Sequence, residues 1–424
     1  MSSFKLFVAK DFFRLKLLLC AVYIVLEFYY YFFISSDFAY LGFVPDLNML
    51  KYLITKIVFV ALLILSHNLF KKSKFLYSIY LLLLFFFFIP NAILFSFSNI
   101  APGPFISNVF FISVFLITPY IKFSVPYVTA SLKHKEFILI CISLLLLVPI
   151  IATFKLNINL NTLLLSEIYE TRDAFSENLT GYLSYLYHFE VKTIIPIALV
   201  FFMINKKPLF IGLFVIILLY LFVISGNKAV YFTTILVVYF YYIGKDYVSK
   251  ISNFFSITVI LFILFPLIDL FVFKSPFLGG TFVNRFLFIP ALLTHWYFDF
   301  FDGNPFYFAE SSFFNLFVSS PYDTPIGFHI TKIYWGDSEA YANNGIVSDG
   351  FMNLGYLGVL LFSVIFSLLF SLFNSFNLHT AYFGVFFSYI YIFLSAPLLT
   401  SFITGGILPF ILISFTILNN RKII

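Results

Sequence analysis

Apolar residues run along this chain in long uninterrupted blocks, separated by short polar punctuation. A helix crossing a hydrocarbon layer of about 30 Å needs roughly 20 apolar residues at 1.5 Å each. Measured that way, the pattern predicts about twelve spans: 15–35, 50–70, 75–97, 105–121, 136–154, 181–204, 208–224, 229–243, 252–273, 346–373, 380–398 and 402–419. Most connections are short. Two are long, at about 155–180 and 274–345, and long loops are uncommon without a function. The predicted fold is an all-α polytopic membrane protein, a single integral membrane domain over 1–424, whose two large outer loops carry short amphipathic helices.

Composition narrows the class. Of 424 residues, 62% are hydrophobic and 10% charged, against roughly 45–50% and 25% in soluble domains. Such a chain cannot cover a water-facing surface, which excludes a soluble enzyme. The 66 Phe residues follow as easily from AT-rich coding as from selection and carry no functional reading. The net charge of +6 calls for no nucleic-acid partner, because the placement of the basic residues accounts for it. Sixteen Lys and Arg fall on one side of the predicted spans and eight on the other. The richer side is cytoplasmic by the positive-inside rule, so both termini are inside. Thirteen of the 19 acidic residues fall on the outer side, where polar chemistry therefore concentrates. The first span lacks a small-residue cleavage site and reads as a retained helix.

The first outer loop ends Glu170-Thr-Arg172-Asp173-Ala-Phe-Ser-Glu177-Asn178. Its carboxylates suit the positive start of the next helix. Arg172 reads either as an anion-site residue, since guanidinium matches phosphate oxygens, or as a local partner of Asp173 or Glu177. The second loop holds Asn284-Arg285, Pro290-Ala291, Trp296-Tyr297, Asp299, Asp302 and Asn304-Pro305. The stretch 286–301 predicts an amphipathic or re-entrant helix on the outer leaflet, with Arg285 at phosphate depth or snorkelling to lipid headgroups. Asn343, Asn344, Asp349 and Asn353 follow at the mouth of a span, among Gly350, Gly355 and Gly358, which allow close backbone approach.

Within the predicted spans, Glu27, His188, Glu190 and Lys192 are ionisable and therefore either functional or paired. His188 and Lys192 share a helix face, whereas Glu190 points elsewhere. Asp269 and His67, near span ends, read as wet. Cys20 and Cys141 read as packing residues, and His295 and His329 have no partner at metal-ligand spacing. No metal site, Gly-rich phosphate loop or Ser-His-Asp order is predicted.

These residues resemble the bacterial O-antigen polymerases (Wzy, oligosaccharide repeat-unit polymerases). The resemblance rests on Asn284-Arg285, Pro290-Ala291, Tyr297-x-Asp299-Phe300-Phe301 and Asn304-Pro305. It also rests on Asn343-Asn344-Gly345, Asp349-Gly350-x-x-Asn353-x-Gly355-x-x-Gly358, and Arg172, Gly181-Tyr182 and Ser225-Gly226-Asn227-Lys228 in order along one chain. It implies a C-type glycosyltransferase at the periplasmic face of the inner membrane. Donor and acceptor would be undecaprenyl-diphosphate-linked glycans, and the other expected partners are membrane lipid and a polysaccharide co-polymerase that regulates chain length. Arg172 and Arg285 are expected at the diphosphate, with no cofactor and no metal required. Asp173, Glu177, Asp299 and Asp302 are the candidate bases, and Tyr297, Asn304, Asn344, Asp349 and Lys228 the candidate substrate contacts.

Two alternatives stand beside this. An O-antigen ligase typically carries a His near the entrance of the span after the large loop, where this chain has Asn343-Asn344. A flippase for lipid-linked sugars needs a charged midplane cavity and often repeat symmetry, and neither is evident.

Overall fold

The computed structural model describes residues 2–126, 131–155, 162, 168–179, 181–311, 314–336 and 339–419; for 2–10, 169 and 228–230 it describes the backbone alone. Among the described residues there is no β-strand, and ten helices are long and apolar enough to cross a membrane. They correspond to ten of the predicted segments. The other two, 229–243 and 380–398, form the shorter apolar helices Tyr231–Tyr242 and Thr380–Ser395. The protein is an all-α, multi-pass membrane protein.

The chain forms two compact units. One comprises Met1–Lys122, Asp246–Asn374 and Ile390–Leu398; the other comprises Phe123–Lys245, Ser375–Tyr389 and Leu399–Ile424. In the first, every residue from 75 to 98 is buried. The Lys74–Phe97 helix is apolar on all faces, so it has no side suited to water and takes the centre of its unit. Local caps mark helix starts there. Asn48 accepts from the Lys51 N–H at 3.1 Å, Ser73 from Leu76 at 3.2 Å, and Asp246 and Ser249 form a reciprocal capping box. Each satisfies an end group that the helix itself leaves without a partner.

Three helices contain a π turn that stops two residues before a proline: Leu84–Phe88 before Pro90, Glu190–Ile194 before Pro196, and Gly279–Phe288 before Pro290. Proline donates no hydrogen bond and its ring crowds the preceding turn. Inserting one residue into that turn widens it without ending the helix. Two of the three insertions carry chemistry, Glu190 with Lys192 and Asn284 with Arg285.

The segment 346–373 predicted one uninterrupted span. Instead, Ile346–Ser375 is broken at Leu354 and Gly355, where Gly355 has φ +61°. The chain doubles back at this point. A Cβ on Gly358 would lie 1.9 Å from the Gly350 carbonyl oxygen, and one on Gly350 would lie 2.8 Å from the Gly358 backbone. The small residues thus admit their own chain. The part beyond the break, 356–375, still measures roughly 30 Å as a helix.

Gly358→Ala should therefore lower the thermal midpoint of the detergent-solubilised protein by an amount corresponding to about 1–3 kcal/mol of overpacking. Gly212→Ala is the control, because a Cβ there meets nothing within 4 Å. It should be neutral or slightly stabilising.

Candidate functional site

The long segment 274–345 is built on a helix. Gly279–Phe288 continues into Ile289–Phe300, and residues 290–295, Tyr297 and Phe298 are buried. The apolar face of this helix packs against protein. Phe298 stacks on Phe351 with centroids 3.9 Å apart, and the Tyr297 hydroxyl donates to the Ala342 carbonyl at 2.8 Å. Trp296 stacks on Tyr334 at 5.4 Å. The interfacial aromatics of the sequence reading are thus packing and hydrogen-bonding residues.

The break in the Ile346–Ser375 helix anchors the rest. Ending a helix at 353 frees its last carbonyls, and the 306–308 segment supplies the donors. Phe306 N–H reaches the Met352 carbonyl at 2.8 Å and Tyr307 N–H the Asn353 carbonyl at 3.2 Å, while Phe308 N–H reaches Asn353 Oδ1 at 2.6 Å. Tyr307 and Phe308 both have positive φ, 49° and 60°. That conformation costs about 1–2 kcal/mol per residue, and the three hydrogen bonds hold it. Asn353 also donates to Asp349 Oδ1 at 2.8 Å, and Asp349 Oδ2 accepts from Leu398 N–H at 2.7 Å. Asp349 is buried and both its oxygens are engaged by the chain. Asn344 is buried too, its amide nitrogen 3.5 Å from the Met352 sulfur and its Oδ1 without a hydrogen-bond partner.

Asp299, Asp302 and Asn304 are exposed. Asp299 accepts from the Tyr334 hydroxyl at 2.5 Å. Burial, and secondarily that carboxylate, push the Tyr334 phenol up, so it stays a donor. The Asn304 amide lies 3.5 Å from the Asp302 carbonyl. Arg285 is exposed, and its charge reaches Tyr391. Fourteen residues of one helix separate Arg285 from Asp299, on the order of 20 Å. A diphosphate held by Arg285 therefore leaves Asp299 far from the sugar carbon attached to it. His295 is buried with Nε2 unpartnered, and burial, aided by Lys51, pushes its imidazole down to about 3. That shift favours the neutral imidazole.

In the second unit, Ile168–Asn178 is a helix of its own. Glu170, Asp173 and Glu177 lie inside it and do not cap the following helix, which begins after Gly181 with no side-chain cap. Arg172, Asp173 and Glu177 are all exposed. Arg172 pairs with neither carboxylate, so the local ion pair weighed from the sequence does not form. Gly226, with φ +59°, lies against the start of this helix; a Cβ there would be 2.6 Å from the Ile168 carbonyl. The Lys228 side chain lies outside the described residues.

Asp269 is a correction. It is buried, and its oxygens accept from Leu278 N–H at 2.8 Å and Gly279 N–H at 2.7 Å, starting the Gly279–Phe288 turn. Glu310 and Tyr334 escaped the sequence reading, because their partners, Ile326 and Asp299, are 16 and 35 positions away with no local motif. No group of three or more metal-ligating side chains occurs among the described residues. Comparison with family models, curated proteins and solved structures finds no match.

Glu310 offers a pH test of the loop. Its carboxylate accepts from Ile326 N–H at 2.5 Å, yet burial outweighs that bond and pushes it up. A raised folded value contributes stability fully present below the ordinary glutamate range, about 4.3, and lost as pH rises through the raised value. Glu310→Gln keeps an acceptor and should flatten that decline in a melting series across pH 4–7. Asn353→Ala removes the acceptor of Phe308 and should accelerate proteolysis within 301–325 severalfold.

Proposed function

We propose that this protein is a polyprenyl-diphosphate-dependent glycosyltransferase of the O-antigen polymerase type. It joins undecaprenyl-diphosphate-linked repeat units by transferring the growing glycan to the incoming unit, at the periplasmic face of a bacterial inner membrane. The observation that carries this reading is a pair of exposed arginines, Arg172 and Arg285. Each stands on a helix in one of the two long segments between spans, and neither has a carboxylate partner among the described residues. An exposed guanidinium with a free fork fits an oxyanion of a phosphate group.

The reaction needs little else. The acceptor hydroxyl attacks the anomeric carbon of the donor and a new C–O bond forms. The bond to the diphosphate oxygen breaks, and undecaprenyl diphosphate departs with its electron pair. Guanidinium charge stabilises the leaving oxygens as they become more negative. A carboxylate takes the hydroxyl proton. Asp173 and Glu177 suit that role beside Arg172, being one turn apart on one exposed helix face without an ion pair. Asp299, Asp302 and Asn304 suit hydrogen bonds to sugar hydroxyls. Buried Asp349 and Tyr297 act through the backbone they hold and are positioning residues, whereas Asn344 keeps its Oδ1 without a hydrogen-bond partner.

The test is a sugar-stained gel of surface polysaccharide from cells lacking only this gene. Core carrying a single repeat unit, with the ladder gone, is the expected result, and an unchanged ladder would overturn the reading. On complementation, Arg285→Ala and Arg172→Ala should each reduce polymerisation about 10- to 100-fold, the value of a charged hydrogen bond of about 1.5–3 kcal/mol. Lysine at either position should restore part of it.

A further inference from the structure

The Tyr182–Ile204 helix carries three ionisable side chains that the reaction above leaves unused. Glu190 is fully buried and accepts from Ser143 Oγ at 2.5 Å. Lys192 is only partly buried and has no hydrogen-bond or ion-pair partner among the described residues. Glu190 does not compensate it, because residues two apart on a helix face different ways. The lysine starts ten residues into the span, roughly 15 Å along it, farther than its side chain snorkels.

Its surroundings include one unpartnered imidazole nitrogen and one helix break. His188, one turn earlier, lies within electrostatic reach, and its Nδ1 is buried without a partner. On the other side is Gly406, at a break between the Leu398–Phe402 and Ile407–Ile413 helices. A Cβ there would meet Lys192 Cβ at 3.5 Å. The Gly406 carbonyl already accepts from Thr193 Oγ1 at 2.9 Å and the Tyr389 hydroxyl at 3.2 Å. The helix bearing Arg172 packs onto the same span, with the Phe175 and Tyr187 rings 4.9 Å apart. Arg172 thus stands on a helix packed against the span that carries His188 and Lys192.

We propose that Lys192 and His188 form a binding site for a diphosphate group within the Tyr182–Ile204 span. An ammonium held in an apolar segment without a counter-charge is costly, and an entering oxyanion supplies what the protein withholds. The inference deepens the polymerase reading and rests on it for the source of that anion, a lipid-linked diphosphate; a soluble diphosphate has the same chemistry.

The full chain in nanodiscs of zwitterionic lipid would be titrated with undecaprenyl diphosphate and, separately, inorganic diphosphate, with binding read by native mass spectrometry and by thermal midpoint. Lys192→Met should weaken binding at least about tenfold, His188→Gln should weaken it less, and Lys192→Arg should retain it. Without ligand, Lys192→Met should melt at or above wild type, since it removes an uncompensated charge. Binding of the lipid form alone assigns the site to lipid, and equal binding of inorganic diphosphate assigns it to a soluble anion. Unchanged binding in Lys192→Met, or a ligand-free midpoint well below wild type, would overturn the proposal. Binding is read without acceptor or turnover, so its failure leaves the ladder result intact, and the reverse holds.

Discussion

In an apolar layer no water is available to satisfy a peptide group, so each spanning segment must close its own hydrogen bonds. Several polar features of this protein lie where that rule is strained. Proline withdraws a donor, and at Pro90, Pro196 and Pro290 the helix answers with a π turn just upstream. Elsewhere the chain breaks outright, at Leu354–Gly355, and distant segments supply the missing partners. The peptide groups of 306–308 complete a helix end more than forty residues away, which ties that part of the large loop to the broken helix.

Charges inside the spans are handled unequally, and the contrast is informative. Glu27 is compensated by Lys56, whose ammonium also lies over the Tyr23 ring. Glu136 has Lys207 at 3.4 Å. Glu190 has a single hydroxyl, and Lys192 has nothing from the described chain. The binding proposed for Lys192 rests on that contrast.

Several buried polar residues of the second long segment hold backbone, whereas some exposed ones do not. Asn353, Asp349 and Tyr297 tie the broken helix, the strained 306–308 turn and residue 342 into one body. Arg285, Asp302 and Asn304 stand exposed outside it. The proposed glycan transfer calls for such a division, because a donor sugar must be held against groups that do not move when it departs.

Span positions follow from the sequence alone, since roughly 20 consecutive apolar residues in water have no stable alternative to burial. The central place of Lys74–Phe97 follows likewise, from apolar residues on every face. Prolines follow three of the π turns, yet Pro149 and Pro266 lie inside helices with no π turn just before them, so proline alone does not place one. Hydropathy could not reveal that 346–373 breaks, since a lone glycine is tolerated in a helix and only the fit of Gly350 against Gly358 makes the bend favourable. Nor could it tell Asp349, held on both oxygens, from Asp302, exposed to water. Asp269 read as wet because it ends a span, yet two N–H groups nine and ten residues later bury it. Whether a polar residue serves the backbone or a ligand depends on which peptide groups arrive beside it, and tertiary packing alone decides that.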